Sequence, residues 1–378
     1  MKNLLIVLSR DYSKEMNSGR KTIVNNYLKY LPEVCNLSTV IVKNPFERNV
    51  FNLFFLLPFS LFISVFSKYP FQALAYKILN RNILKDLEFD NVLFDGERLA
   101  LLASEVESEK VIIDFDDVLS LRYGSMAAKG AISFGSLGSA LAKYHKIVPK
   151  SFFQKLLGTE NKKLAHLEST IMRRYSKVVF SSNSEKEFLV SKYSFNGAAF
   201  QQSIPYERKT HISYERDEMV YGFIGGDSVP QNKTAICFLV DFWNRNKIKS
   251  KLIFAGKIDD EYEHPDNVSF MGVVDTVDEF YSKINVLICP SFVEGGVKTK
   301  VIESAIFGVP VIGNEVTFDS VELPGNYPLV YKNELELLEI LNNLNDKNLN
   351  SVEIFKALEA IAKYHSKEKY LSIYRGLL

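Results

Sequence analysis

The 378-residue chain has only three cysteines, five histidines and one tryptophan. Cys35, Cys237 and Cys289 are far apart, odd in number and outside any CxxC spacing, so neither a disulfide framework nor a structural zinc site is expected. No apolar run reaches the 18 or so residues that a spanning helix needs. The start, MKNLLIVLSRDYS, holds a five-residue apolar run without a small-residue cleavage site, and reads as a first strand in a reducing cytoplasm rather than a signal peptide. Net charge is also nearly missing, at +1. No run of Lys and Arg interleaved with aromatics occurs, which argues against nucleic acid as a partner.

What is present is a chain that is 47% apolar and 24% charged, long enough to bury two sizeable cores. Its charge is unevenly spread. Residues 1 to 200 hold 27 Lys+Arg against 19 Asp+Glu, and residues 201 to 378 hold 19 against 26. The halves are therefore read as domains with different partners, the basic one suited to an anionic membrane surface.

Apolar runs of strand length recur, each followed by a polar turn and a helical pattern, which is the signature of βαβ units and parallel sheets. The first series is Leu4 to Leu8, Leu37 to Val42, Asn91 to Phe94, Val111 to Phe115 and Lys177 to Ser181. The second is Val220 to Ile224, Lys251 to Ala255, Val268 to Phe270, Val286 to Cys289 and Val309 to Ile312. A polar stretch at about 195 to 215 is read as the linker, and the tail from Glu334 as two helices. The fold class is thus α/β with two Rossmann-like units, and ligands belong beyond the carboxyl ends of the strands.

Phe51 to Phe66, FNLFFLLPFSLFISVF, breaks this pattern by being apolar nearly all round, with Pro58 in its middle. Two readings stand: a helix buried between domains, or a patch that gives peripheral membrane contact and receives a lipid-linked substrate.

The most informative stretch is Cys289 to Asn314, CPSFVEGGVKTKVIESAIFGVPVIGN. A strand runs into a loop with Gly295 and Gly296, then into a helix expected from about Val297 to Phe307 and stopped by Gly308. Adjacent glycines let backbone approach a ligand, and the N–H groups of a helix start favour phosphate. Lys298 and Lys300 oppose the helix dipole unless an anion compensates them, and Glu303 is placed to accept hydrogen bonds from ribose hydroxyls. The plainer alternative is a surface Lys300–Glu303 ion pair beside a glycine turn.

From Val220 to Asn314 the sequence resembles the retaining sugar-nucleotide glycosyltransferases of the two-domain GT-B fold, family 4 and its near relatives, in particular the exopolysaccharide and surface-polysaccharide sugar transferases. The resemblance rests on GFIGG at 222 to 226, Pro230 with Asn232, LIFAGK at 252 to 257, NVSFMGVV at 267 to 274 and VLICPSFVEGGVKTKVIESAIFGVPVI at 286 to 312. It implies a hexosyltransferase-like enzyme with an acceptor domain over 1–200, a nucleotide-sugar domain over 201–345, and a last segment, 346–378, returning to the first domain. The donor would meet Gly226, Lys257, Val274, Gly295, Gly296, Lys298, Thr299, Lys300 and Glu303, with no metal or other cofactor. The position eight residues before Glu303, where family members carry a second glutamate, is Gly295, and Glu294 stands one residue earlier as its substitute.

In the first half the resemblance implies a donor contact for Gly19 and Arg20, whose alternative is an exposed arginine in a mobile loop. The strand end at Asp114, Asp116 and Asp117 crowds three carboxylates, which is costly unless they are used or paired. Asp116 falls where many family members carry a catalytic histidine, while Asp117 offers a helix cap instead. Glu97 and Arg98, at the same edge, are candidates for the acceptor. The partners expected are a nucleotide sugar and a glycan or lipid-linked acceptor, in the cytoplasm or at the inner membrane face. Rival readings are a nucleotide-sugar epimerase, a GT-B binding protein without transfer activity, and a dinucleotide oxidoreductase, disfavoured because no GxGxxG follows the first strand.

Overall fold

The computed structural model describes residues 1–14, 19–46, 51–85, 87–128, 150–206, 218–344, 349 and 351–378. Met1–Ile204, Gly295–Val297 and Lys367–Leu378 form one compact unit, and Pro205–Glu294 with Lys298–Ser366 form another.

The first unit is built on β1 (Asn3–Leu8), β2 (Asn36–Ile41), β3 (Asn91–Asp95), β4 (Val111–Asp114), β5 (Lys177–Phe180) and β6 (Ala198–Gln201). Its strands pair in the order β2-β1-β3-β4-β5-β6, and every pairing is parallel. β3 and β4 are buried at every residue, as expected of strands covered on both faces. Helix α1 (Gly19–Tyr30) turns Ile23, Val24, Tyr27 and Tyr30 inward. The sheet's chain path leaves β1 on one side and returns on the other, so the loops after β1 and β3 diverge at a switch point, where α/β sheets hold ligands.

The second unit repeats the logic with β7 (Val220–Ile224), β8 (Lys251–Ala255), β9 (Val268–Gly272), β10 (Val286–Ile288), β11 (Val311–Asn314) and β12 (Val330–Tyr331), in the order β12-β11-β10-β7-β8-β9. These pairs too are parallel. The switch point lies between β7 and β10, and the loops that leave those strands are the Gly225–Val229 and Cys289–Lys298 segments.

Three expectations need correction. A strand, β6, lies inside the stretch read as linker, where small Ala198 and Ala199 and a polar Gln201 give no apolar run. Residues 207–217 of that stretch lie outside the described residues. The second tail helix is two helices, Val352–Tyr364 and Lys367–Leu377, separated at a buried His365. The helix expected from Val297 starts at Thr299, with Lys298 as its N-cap residue.

The Lys367–Leu377 helix joins the first unit through Tyr370, Ile373, Tyr374 and Leu377. Tyr374 packs edge-on to Tyr27, with ring centroids 5.9 Å apart, and its hydroxyl accepts from Gln202 Nε2 at 3.2 Å. Tyr374→Ala is expected to destabilise the first unit by about 3–5 kcal/mol, the usual loss for a buried aromatic. A drop in the first unfolding midpoint by far-ultraviolet circular dichroism checks this, and an unchanged midpoint would refute the packing role.

Candidate functional site

In the second unit β7 ends at Ile224 and the chain turns through Gly225, whose φ is +149°. A Cβ there would lie 2.6 Å from Asn232 Nδ2, so only glycine lets Asn232 fold back onto the turn. That asparagine, in the first turn of the helix Pro230–Asn246, donates to the Gly226 carbonyl at 3.1 Å and accepts from Lys300 Nζ at 3.0 Å. The Lys300 ammonium also stands 4.3 Å from the Phe223 ring centroid, over its face. Burial pushes the Lys300 pKa down, and the neighbouring Lys298 adds to this against the pull of Cys289 and Glu303. A desolvated cation is therefore held at the carboxyl edge, beside the switch point.

Glu303 lies one turn further along the Thr299–Ile306 helix. Its Oε1 accepts from the Tyr206 hydroxyl at 3.1 Å, and burial pushes its carboxyl up, against the lowering effect of Tyr206 and Lys300. Lys300 and Glu303 thus have separate partners in Asn232 and Tyr206 rather than the surface pair that bare spacing offers. Tyr281, which ends the short helix Val277–Tyr281, ties that helix to this one by donating to the Lys300 carbonyl at 3.2 Å and stacking on Phe307. Lys298 departs from the cluster: its Nζ is 3.5 Å from Asp319 Oδ1 and its N–H donates to Ser320 Oγ at 3.2 Å. Thr299 opens the helix, Gly226 faces the Asn232 amide, and Lys257 and Glu294 are exposed. Lys257 lies 3.4 Å from Asp259, and Val274, half-buried, follows an exposed Val273 after β9.

In the first unit the structure overturns the mobile-loop reading of Arg20. It is the second residue of α1, only 8% exposed, and its guanidinium meets Asp95, Asp114 (2.6 Å) and Asp116 (3.3 Å). Ser9 Oγ and the Tyr12 hydroxyl, each at 2.8 Å, also donate to Asp95, and Tyr27 donates to Asp114 at 2.5 Å. Burial alone would raise the Asp95 pKa, but Arg20 and these donors outweigh it and hold the carboxyl below its usual range. Gly19 begins α1 and so sets where Arg20 enters the cluster.

Asp116 differs from its neighbours. It has φ +59°, a conformation that only Gly, Asn and Asp take readily, and its side chain stays 40% exposed. Desolvation raises its pKa to about 7, opposed by Arg20 and reinforced by Asp117, Asp114 and Asp95. It lines a cavity of about 300 Å³ with Ser9, Asn44, Glu97, Arg98 and Arg122. Glu97 is buried, its Oε1 accepting from Leu119 N at 3.2 Å, and burial followed by the charge of Glu168 pushes its pKa well up. Asp117 is bound to Arg122 rather than capping the next helix.

The segment Gly295–Val297 groups with the first unit, where the Gly296 N–H donates to Glu185 Oε1 at 3.1 Å. Gly296 has φ +68°, and a side chain there would run into Asp117. Desolvation and Asp117 raise the Glu185 pKa to about 7. Sequence reasoning missed Glu185, Asp95, Tyr27 and Tyr206. Asp95 alone left a signal, as a charge closing an apolar strand.

Residues 218–344 match the family described as glycosyl transferases group 1. No curated protein matches the chain. Among solved structures, sucrose-phosphate synthase from Thermosynechococcus elongatus is 13% identical at a TM-score of 0.66, over 100% of this chain and 99% of that one. Anabaena HepE in complex with UDP-glucose is 12% identical at 0.62, over 100% and 99%. TarM is 14% identical at 0.56 over 80% of this chain, which spans only 58% of TarM.

Asp116 carries a stability cost that reveals its environment. Its folded pKa lies above its unfolded one, so the folded state binds more protons between about pH 4 and 7 and stability falls as pH rises through that window. Asp116→Asn, which tolerates the same backbone, is expected to stabilise the protein at pH 8 and to lose that advantage below about pH 4. Urea unfolding at both pH values checks this, and equal stability of the two proteins at pH 8 would contradict it.

Residues 218–344 thus match the glycosyl transferases group 1 family, and the two parallel-sheet units share the GT-B fold of these solved structures.

Proposed function

We propose that the protein moves a hexose from a nucleoside diphosphate sugar to a hydroxyl of a surface polysaccharide or lipid-linked glycan, with retention at the anomeric carbon and without a metal. The observation that carries the donor half is the Lys300 ammonium, desolvated over Phe223 and aligned by Asn232 at the switch point. An ammonium stripped of water gains more from a diphosphate than an exposed one does. Glu303, a turn away, would take the ribose hydroxyls, and the loop after β9 near Val274 the base. The UDP-glucose bound by HepE, of like architecture, favours a uridine diphosphate donor.

As the donor's sugar–phosphate bond breaks, negative charge grows on the departing diphosphate, and Lys300 and the N–H groups at the start of the Thr299–Ile306 helix would stabilise it. The departing phosphate oxygen takes up the acceptor's proton in a retaining reaction. Arg20, its charge occupied by three aspartates, would act by holding Asp116 in place rather than by touching the donor. Asp116 with Glu97 and Arg98 would then orient the acceptor in the first unit's cavity, and Glu294 would stand near the transferred sugar. Among the described residues no helix is long and apolar enough to cross a membrane. A lipid-linked acceptor would be met at the inner membrane face through the Phe51–Phe66 segment.

UDP at one hundred times its Kd should raise stability by about 2.7 kcal/mol if it binds only the folded state. Lys300→Ala and Glu303→Ala are each expected to remove most of the accompanying thermal shift without unfolding the protein. A full shift in both variants would eliminate the proposed donor site. Sugar transfer tested with UDP-glucose and other nucleotide sugars separates the enzyme from a binding protein, and release of an isomerised nucleotide sugar without an acceptor would point to an epimerase.

A further inference from the structure

The segment Phe51–Phe66 is amphipathic in the reverse sense of a globular helix. It runs as one π-helical turn set, Asn52–Leu56, continued by α2 (Leu57–Phe66). Its polar side chains are the buried ones. Asn52 Nδ2 donates to the Asn44 carbonyl at 3.1 Å, Ser60 Oγ to the Leu56 carbonyl at 2.7 Å, and Ser64 Oγ to the Tyr69 carbonyl at 3.3 Å. Lys163 Nζ, from the long helix Lys150–Arg174, donates to Ser64 Oγ at 2.7 Å, and Glu160 of the same helix accepts from Phe71 N at 3.3 Å. The reading of this segment as a buried helix is therefore corrected: Phe51, Phe54, Phe55, Phe59, Phe62, Val65 and Phe66 point outward, Phe54 at 70% and Phe66 at 79% exposure. The bonds of Asn52 to Asn44 and of Ser64 to Tyr69 and Lys163 fix the inner face, so the outer face cannot turn in without breaking them.

Among the described residues of this segment and the adjoining long helix, the exposed charges have one sign. Residues 51–68 contain no acid and end in exposed Lys68. The adjoining Lys150–Arg174 helix exposes Lys155, Lys162, Arg173 and Arg174, while its two acids, Glu160 and Glu168, are buried. Aromatic side chains beside unopposed cations suit an anionic lipid leaflet, where the rings enter the headgroup boundary and the ammonium groups meet phosphate. A protein partner of opposite charge would require polar complementarity from this face, which offers apolar side chains alone. Resting on the membrane-face reading above and giving it a partner, we infer that Phe51–Phe66 lies in the plane of an anionic bilayer surface and docks the first unit there, anchored from behind by Lys163 and Ser64.

Co-sedimentation of the full chain with vesicles of phosphatidylcholine alone, and of phosphatidylcholine with 30% phosphatidylglycerol, tests this. Binding is expected to be at least tenfold tighter to the anionic vesicles and to weaken with salt. Phe54→Ser combined with Phe62→Ser and Phe66→Ser should lower it at least tenfold, and Lys68→Glu with Lys162→Glu should remove the preference for phosphatidylglycerol. Circular dichroism and the UDP thermal shift should be unchanged in these variants, which separates loss of docking from failure of the donor reading. No binding by the wild-type chain, equal binding to both vesicles, or a dimer in solution that the phenylalanine variant dissolves would overturn the inference.

Discussion

An ammonium group kept short of water is the feature around which the second unit's edge is organised. Lys300, half-buried, stands over a phenylalanine ring and donates to one neutral acceptor, Asn232 Oδ1, and burial outweighs the pull of Cys289 and Glu303 on its charge. The neighbouring parts each follow from holding it there. Gly225 clears space for Asn232, Asn232 fixes the Lys300 head, Tyr281 fixes its backbone, and Tyr206 keeps Glu303 from collapsing onto it. Such a group is costly in an empty site and useful in an occupied one, which is how binding sites differ from structural ion pairs.

The first unit treats charge the opposite way. Arg20 is enclosed by carboxylates, and Ser9, Tyr12 and Tyr27 complete the coordination of Asp95 and Asp114. Beside that cluster Asp116 reaches the cavity together with Ser9, Tyr12 and Asp95, in a backbone conformation few residues accept. A rigid ionic base thereby presents one adjustable carboxyl, with the buried Glu97 beside it. The same unit keeps its aromatic helix face outward by spending that helix's serines on internal bonds.

Much of the architecture was legible because parallel strands buried on both faces write themselves as apolar runs: Leu4 to Leu8 and Val220 to Ile224 needed no context. β6 and β12 escaped because a four-residue edge strand with alanines, and a two-residue one, carry no periodic signal. Lys300 and Glu303 were singled out by their spacing after a glycine pair, but their partners were not, since Tyr206 and Asn232 come from distant segments. The surroundings of Arg20 stayed hidden for a related reason: a loop arginine and a buried hub look alike until three aspartates from two strands and the following turn surround it. For Phe51–Phe66 composition announced an anomaly, yet only the positions of Asn52, Ser60 and Ser64 revealed which face was in.

The central claim is that Lys300 is a desolvated cation awaiting a diphosphate. Its pKa, followed by heteronuclear NMR of specifically labelled lysine with and without saturating UDP, measures this directly. The account requires a value below that of ordinary lysine in the free protein and a rise once nucleotide binds, because an adjacent anion favours the charged form. An ordinary value in the free protein, or one that stays fixed while UDP binds, would contradict it.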